Sequence, residues 1–247
     1  MHGVILAAGR GSRMGCLTET LPKAFLEVDG RTLYDRQRAA IAPFIDRVTV
    51  VLGYEAETAR DRLASIEADH DDTLPVDTVV LNDWDEYDNA ESLRRVLRRA
   101  DDDALVLNGD VVVAPRTVRR LLRRFREAGP GRNVVGCLPG VQTNHTAIQS
   151  NAAGVVTDYG EIVGHRHAGI GVIDARTRDR AIEVLARNAD NWYPHLYPET
   201  PTDRVFVSPD AHLEINRPAD VDRARDRLPL ADAERWSVDR ASSFGIR

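Results

Sequence analysis

Lysine is all but missing from this chain: among 247 residues there is one, Lys23, against 32 arginines, and the acids divide into 26 aspartates and 13 glutamates for a net charge of −6. That balance excludes a general nucleic-acid binder, which carries a basic face, but it leaves room for a small anionic substrate at a local cationic cluster. An aspartate-rich, lysine-poor surface fits adaptation to a high-salt cytoplasm or, equally, GC-rich coding. Cysteine is scarce as well. Cys16 and Cys137 give neither a disulfide framework nor a zinc spacing, so both read as plain thiols. No apolar run approaches the roughly 18 to 20 residues that a membrane span needs, and the run from Val4 to Ala8 is too short for a signal peptide, so the expectation is a cytoplasmic chain with no membrane span. Aromatics make up only 6% of the residues. Against that background Trp192, Tyr193 and Tyr197 form a local excess, read either as a cage for a quaternary ammonium or, preferentially, as a loop packed by its own rings.

What is present is most unusual between residues 3 and 23. The apolar run Gly3-Val4-Ile5-Leu6-Ala7-Ala8 breaks into Gly9-Arg10-Gly11-Ser12-Arg13-Met14-Gly15, and Leu21-Pro22-Lys23 comes soon after. Glycine admits positive φ and lets a ligand approach the main chain, so successive N–H groups can point at an anion. The stretch therefore reads as a strand feeding a phosphate-binding loop, with Arg13 and Lys23 supplying full charges. It is not a Walker A loop, because five residues separate Gly9 from Gly15 and Cys16 comes next. It is a poor dinucleotide fingerprint, because Met14 stands where the third glycine belongs.

Downstream, strands and helices alternate: a helix over 31–44, a strand over 48–54, a helix over 55–68 and a strand over 76–81. That alternation predicts a parallel sheet with helices on both faces and ligands at the carboxyl ends of the strands. Asp88 with Glu91 has capping-box-like spacing ahead of a helix through Arg99. Ala104 to Val113 reads as one buried strand interrupted by Asp110, a carboxylate costly to bury unless paired or metal-bound. Pro115 opens a helix to about Ala128 whose arginines form a solvated face. From 133 to 173 short strands are expected at 134–138, 146–148, 154–157, 162–163 and 169–173. His165 and His167 alternate about Arg166 without enough partners for a metal site. A helix over 176–187, strands at 205–207 and 212–215, and a helix up to Leu228 complete the pattern. Residues 229–247, with Trp236 and Phe244, read as an oligomer contact or as a tail packed on the core.

Leu6 to Met14, Pro22-Lys23 and the adjoining Ala24-Phe25-Leu26-Glu27-Val28-Asp29-Gly30 resemble the signature of the nucleotidyltransferase family that activates phosphorylated metabolites with nucleoside triphosphates. The likeness covers about residues 1–228, with acceptor-side insertions at about 133–200. It implies an α/β, Rossmann-like, GT-A-type three-layer α/β/α fold with a mostly parallel central sheet and a small mixed acceptor-side subdomain. By the same resemblance Leu6, Ala7, Ala8, Gly9, Gly11 and Ser12 would hold nucleotide phosphates, Arg13 and Lys23 would be catalytic, and Asp110 and Glu214 would hold Mg²⁺. Asn216 stands where relatives often carry Asp. Asn82, Asn89, Ser92 and Leu93 resemble the phosphocholine cytidylyltransferase-like branch, with a spacer one residue short, and by that resemblance Asn82, Asn89 and Ser92 would bind the nucleotide. The Gly-Thr-Ala of many sugar-1-phosphate enzymes is missing.

The implied partners are a nucleoside triphosphate, CTP favoured, and a small phosphorylated alcohol, with no nucleic acid. Alternatives are a sugar-1-phosphate nucleotidylyltransferase, a GT-A glycosyltransferase, for which Asn108-Gly109-Asp110 lacks the first acid of Asp-x-Asp, and a catalytically silent nucleotide-sensing domain. The lone lysine carries its own argument. Where arginine has replaced lysine everywhere else, its retention at 23 points to a need for a compact ammonium.

Overall fold

The computed structural model describes residues 1–141 and 146–233. Trp236 and Phe244 of the expected tail lie outside the described residues. The chain opens with strand β1 (His2–Ala7), buried along its whole length. A two-residue hairpin, β2 (Glu27–Val28) with β3 (Arg31–Thr32), leads into helix α1 (Leu33–Ile41), whose start is fixed by the Thr32 side chain accepting from the Asp35 N–H. Then come β4 (Arg47–Leu52), α2 (Ala56–Ala68), β5 (Val76–Val80), α3 (Asn89–Leu97) and β6 (Ala104–Asn108). Strands β5, β4, β1 and β6 lie side by side in that order and run parallel.

Strand order therefore reverses at β1: the chain moves outward to β4 and β5, then returns to β1's other edge with β6. Crevices at such a switch point, outside the carboxyl ends of the strands, are where open α/β sheets take ligands. The glycine loop after Ala7 and the turn after Asn108 meet at this one.

The second half extends the sheet. After β7 (Val111–Val113) and α4 (Pro115–Ala128) come β8 (Asn133–Cys137), β9 (Ala147–Ser150), β10 (Val156–Gly160) and β11 (His165–Ile173). Beyond them lie α5 (Arg178–Arg187), β12 (Thr202–Phe206), β13 (His212–Glu214) and α6 (Pro218–Ala233). β11 lies antiparallel between β6 and β8, and β12 runs parallel to β8. The first residues of β11 leave this register and pair with β9, which pairs in turn with β10. The departure comes at Gly169, whose φ is +65° and where a Cβ would come within 2.6 Å of Val111 Cγ2. A β-bulge of this kind bends the strand and lets its two halves serve different neighbours. β7 and β13 form a separate antiparallel pair beside the switch point.

Side chains alternate across β1, and the core divides accordingly into the three expected layers. Ile5 packs with Ala59 and Leu63 of α2 and Val118 and Leu121 of α4, whereas Val4 and Leu6 pack with Leu93 and Val96 of α3 and Val184 and Leu185 of α5. Among the described residues no helix is long and apolar enough to cross a membrane.

Three local expectations are corrected. The 104–113 segment is two strands in different sheets, because the chain turns at Gly109-Asp110. The strand expected at 162–163 is a turn, and the one at 169–173 is the last part of a strand that begins at His165. The capping box does not close either. Asp88 caps α3 through the Asn89 N–H, but the Glu91 carboxylate is held by Arg94 and Arg95 instead of reaching back.

Candidate active site

The loop after β1 is shaped by Gly11, which takes φ +68° and ψ 39°. Its carbonyl accepts from the Met14 N–H at 2.9 Å and from Thr18 Oγ1 at 3.1 Å, which pins the short 3-10 turn Ser12–Thr18. A side chain at position 11 would face a second obstacle, since a Cβ there would sit 3.1 Å from Lys23 Cε. The aliphatic stem of Lys23 crosses the loop where glycine leaves room for it.

Lys23 is 9% exposed, a depth at which an ammonium needs partners. It donates to Asp110 Oδ2 at 2.9 Å and to Asn216 Oδ1 at 3.1 Å. Asp110 is brought there by the turn after β6, where the Gly109 N–H bonds Leu6 O at 2.8 Å, and its own carbonyl accepts from the Ile215 N–H at 3.0 Å. Asn216 bridges the charges. Its Oδ1 also accepts from Arg13 at 3.3 Å, while its Nδ2 donates to Glu214 Oε1. An Asp at 216 could not make that last bond, because two carboxylates would then face each other. Glu214 is held from its other side by Arg166 of β11. Residues separated by up to about two hundred positions thus form one connected polar floor.

Two adjoining cavities open over it. The first, about 290 Å³, is walled by Leu6, Ala7, Ala8, Gly9, Gly11, Arg13 and Lys23 at one end and by Asn89 and Ser92 at the other, with Trp84, Tyr87 and Leu81 between. Of the residues expected at a nucleotide, Ser12 and Asn82 are exposed and do not line it. Trp84 belongs to no motif in the sequence, although it comes directly after the third strand. Its ring stands edge-on to Tyr54 at 5.3 Å, and Arg10 caps Tyr54 at 5.4 Å.

The second cavity is larger, about 790 Å³, and is lined by Glu214, Asn216, Arg166, His167, His212 and Tyr159 among others. Arg13, Asn89, Asn108, Asp110 and Trp192 line both. The Asn108 Oδ1 atom is buried and has no hydrogen-bond partner among the described residues, an acceptor left open at the junction.

The N-terminal amides of α3 are not open to a phosphate. The Asp88 N–H bonds Ala189 O, the Ala90 N–H bonds Asn191 O, and Asp88 Oδ1 takes the Asn89 N–H at 2.6 Å. The Tyr193 N–H donates to Asn89 Oδ1 at 2.7 Å, so the segment carrying Trp192 is stitched to the start of α3. Burial raises the Asp88 carboxyl above the ordinary range.

The expected aromatic cluster packs on itself. Tyr193 and Tyr197 are fully buried with ring centroids 6.0 Å apart, and His167 stands edge-on to Tyr193 at 5.6 Å. Trp192, 40% exposed, is the one member left on the cavity wall. No cage is formed. Burial lowers His167 to about 3 and His212 to about 4, so both rings are neutral near pH 7. His212 Nε2 is further committed to Ala168 O at 2.9 Å. With the histidines neutral, what the floor offers to a ligand is fixed charge and loop amides.

The model of the MobA-like NTP transferase domain matches residues 3–170. Among curated proteins, CMP-5'-(3-aminopropyl)phosphonate synthase of Streptomyces rubellomurinus is 30% identical over 160 residues, covering 64% of this chain and 24% of the relative. The 2-C-methyl-D-erythritol 4-phosphate cytidylyltransferase of Deinococcus radiodurans is 53% identical over 49 residues, 20% of this chain and 19% of the relative. The chain thus spans less than a quarter of either relative's length. Among solved structures, the CTP:phosphocholine cytidylyltransferase of Streptococcus pneumoniae superposes with a TM-score of 0.71 at 20% identity, covering 92% of this chain and 98% of that one. The inositol-1-phosphate CTP transferase of T. maritima gives 0.72 at 17% identity over 89% and 90%. These likenesses carry the fold. The matched family model spans the glycine loop, Lys23 and Asp110 together, and the chain belongs to the MobA-like NTP transferase domain family.

Proposed function

We propose that this chain transfers a nucleoside monophosphate, preferentially CMP from CTP, to a small phosphorylated acceptor and releases pyrophosphate. The observation that carries the reading is the Lys23 ammonium, fixed between Asp110 and Asn216 where the loop-lined cavity joins the larger one. In the reaction an oxygen of the acceptor phosphate forms a bond to the α-phosphorus, the bond from that phosphorus to the bridging oxygen breaks, and the electron pair leaves with pyrophosphate. No side chain needs to form a covalent bond. Positioning and charge neutralisation supply most of the rate in such transfers.

The loop amides around Gly9 and Gly11 suit the β- and γ-phosphates, Arg13 their charge, and Lys23 the α-phosphate or the entering oxygen. Asp110 and Glu214 fit a divalent cation such as Mg²⁺, which takes one or two carboxylates and completes its shell with phosphate oxygens. No group of three or more His, Cys, Asp or Glu forms a metal cage among the described residues. Two carboxylates suit an ion that also takes oxygens from the triphosphate. When bound it would neutralise charge on the reacting oxygens. Preference for CTP rests on Asn89 and Ser92 lining the cavity and on relatives whose names state cytidylyl transfer.

Pyrophosphate release over four triphosphates, against a panel of phosphoalcohols and sugar 1-phosphates, tests the reading. CTP with a phosphoalcohol should give the highest kcat/KM. A clear win for UTP or dTTP with a sugar 1-phosphate would replace it. Triphosphate binding with no release from any pair would point to a sensing domain.

A further inference from the structure

The larger cavity has an excess of positive charge that its own acids do not cancel. Two of its guanidiniums are neutralised: Arg166 pairs with Glu214, and Arg223 with Asp220. Two others are not. Among the described residues Arg227 donates only to neutral acceptors, the carbonyls of Pro209 and His212. Arg217 has its main-chain N–H on Asp220 at 2.8 Å, but its guanidinium has no partner among the described residues. Of the remaining carboxylates Asp110 is taken by Lys23, which leaves Glu161, exposed like Arg217 and Arg227, as a single charge against those guanidiniums. Placing uncompensated guanidiniums beside Arg223 in one cavity is self-repulsive. An anion held there would relieve the repulsion, and a planar guanidinium matches carboxylate and phosphate oxygens two at a time.

The cavity lacks, in contrast, what a cationic acceptor needs. Tyr193 and Tyr197 are turned into the core and Tyr159, though on the wall, is 7% exposed, so among the described residues Trp192 has no set of exposed rings around it to enclose an ammonium. A cation placed beside Arg217 and Arg227 would face like charge, an arrangement that disfavours it.

From this balance we infer that the acceptor carries a second anionic group, a carboxylate or a second phosphate, beyond the phosphate that attacks, and that Arg217 and Arg227 bind it. The inference rests on the nucleotidyl-transfer reading for the identity of the attacking group, and on the cavity alone for the second anion. It also separates roles: Arg13 and Lys23 serve the triphosphate end, whereas Arg217 and Arg227 choose the acceptor.

Pyrophosphate release from CTP is measured with four acceptors of similar length: 3-phosphoglycerate, glycerol 1,3-bisphosphate, glycerol 3-phosphate and phosphocholine. One of the two doubly anionic compounds should exceed glycerol 3-phosphate in kcat/KM by tenfold or more, with phosphocholine lowest, and which one leads separates carboxylate from phosphate. In Arg217→Gln, and more so in Arg217→Gln/Arg227→Gln, that preference should collapse through the acceptor KM while the KM for CTP stays within twofold. A lead for glycerol 3-phosphate or phosphocholine, or a preference unchanged in the double variant, overturns the inference.

Calorimetric titration of the same acceptors into parent and Arg217→Gln reads the second anion without turnover. Absence of pyrophosphate from every pair, with 3-phosphoglycerate still bound more tightly than glycerol 3-phosphate by the parent alone, would remove the transfer reading and keep the anion site. Equal binding of the two would remove the anion site whatever the transfer assay shows. Thermal melts of both variants accompany these measurements, and Arg217, being exposed, serves as the substitution least able to disturb the fold.

Discussion

The Lys23 ammonium lies 2.9 Å from Asp110 Oδ2, and the stem that delivers it crosses Gly11 at contact distance. A guanidinium at this position would be longer and planar, with no room to shorten because the stem is already seated. Lys23→Arg should keep the fold and net charge yet lose roughly 10- to 1000-fold in kcat/KM, about 1.4 to 4 kcal/mol of transition-state stabilisation. Steady-state kinetics with a thermal melt check this; activity within twofold of the parent would remove Lys23 from the machinery.

Asp110→Asn keeps the size of the side chain and removes its charge. The variant should fold, because the Ile215 N–H bonds the main chain of residue 110 and not its carboxylate. Turnover should fall on the order of 10²-fold or more, the usual scale for losing an electrostatic stabiliser. Near-normal Mg²⁺-dependent turnover would show that the essential carboxylate is another one.

Gly11→Ala tests the loop itself. At φ +68° any side chain is strained by roughly 1–2 kcal/mol, and here the added carbon also presses on Lys23 Cε. Both the melting temperature and kcat/KM should fall. Ser12→Ala, by contrast, alters an exposed side chain off the cavity wall. It should remain within about twofold of the parent in kcat/KM, because the loop offers main-chain N–H groups there. A large loss in that variant would assign the hydroxyl a role.

His2 gives a stability signature far from the cavities. It is 3% exposed, its Nε2 lies 2.8 Å from Thr49 Oγ1, and burial, helped by Arg47, lowers it from 6.5 to about 4. Above pH 6.5 the ring is neutral in both folded and unfolded chains. Between pH 6.5 and about 4 only the unfolded chain takes up the proton, so stability falls as pH drops through that window and levels off below it. The contribution is on the order of 3 kcal/mol. Denaturant melts across this range should show a shallower slope for His2→Gln than for the parent; an identical slope would assign the acid sensitivity elsewhere.

The glycine loop, Lys23 and Asp110 were legible because each residue type carries its own constraint. Glycine reports backbone angle, a solitary lysine stands out by its retention, and an acid closing an apolar strand reports a partner. The strand alternation, and with it the layered fold, was legible for the same local reason. What could not be read were relationships between distant positions. Asn216 looks in sequence like a missing metal ligand, whereas in space its amide joins Lys23 and Arg13 to Glu214. The length of β11 was hidden because its first residues are polar, half-buried and paired with β9, while its last are buried and continuously apolar. The capping box failed on composition: Glu91 has arginines three and four residues on, and two guanidiniums outcompete one amide for its oxygens.

The stitch between the Trp192 segment and the start of α3 has an optical consequence. The protein has three tryptophans. Trp84 lines the smaller cavity, while Trp192 stands on the wall between both. Trp192 is therefore a built-in fluorophore at the boundary, its emission sensitive to solvent leaving either side, whereas Trp84 responds to the smaller cavity alone. Replacing each by phenylalanine separates the two signals and gives a label-free record of the order in which the two compartments fill.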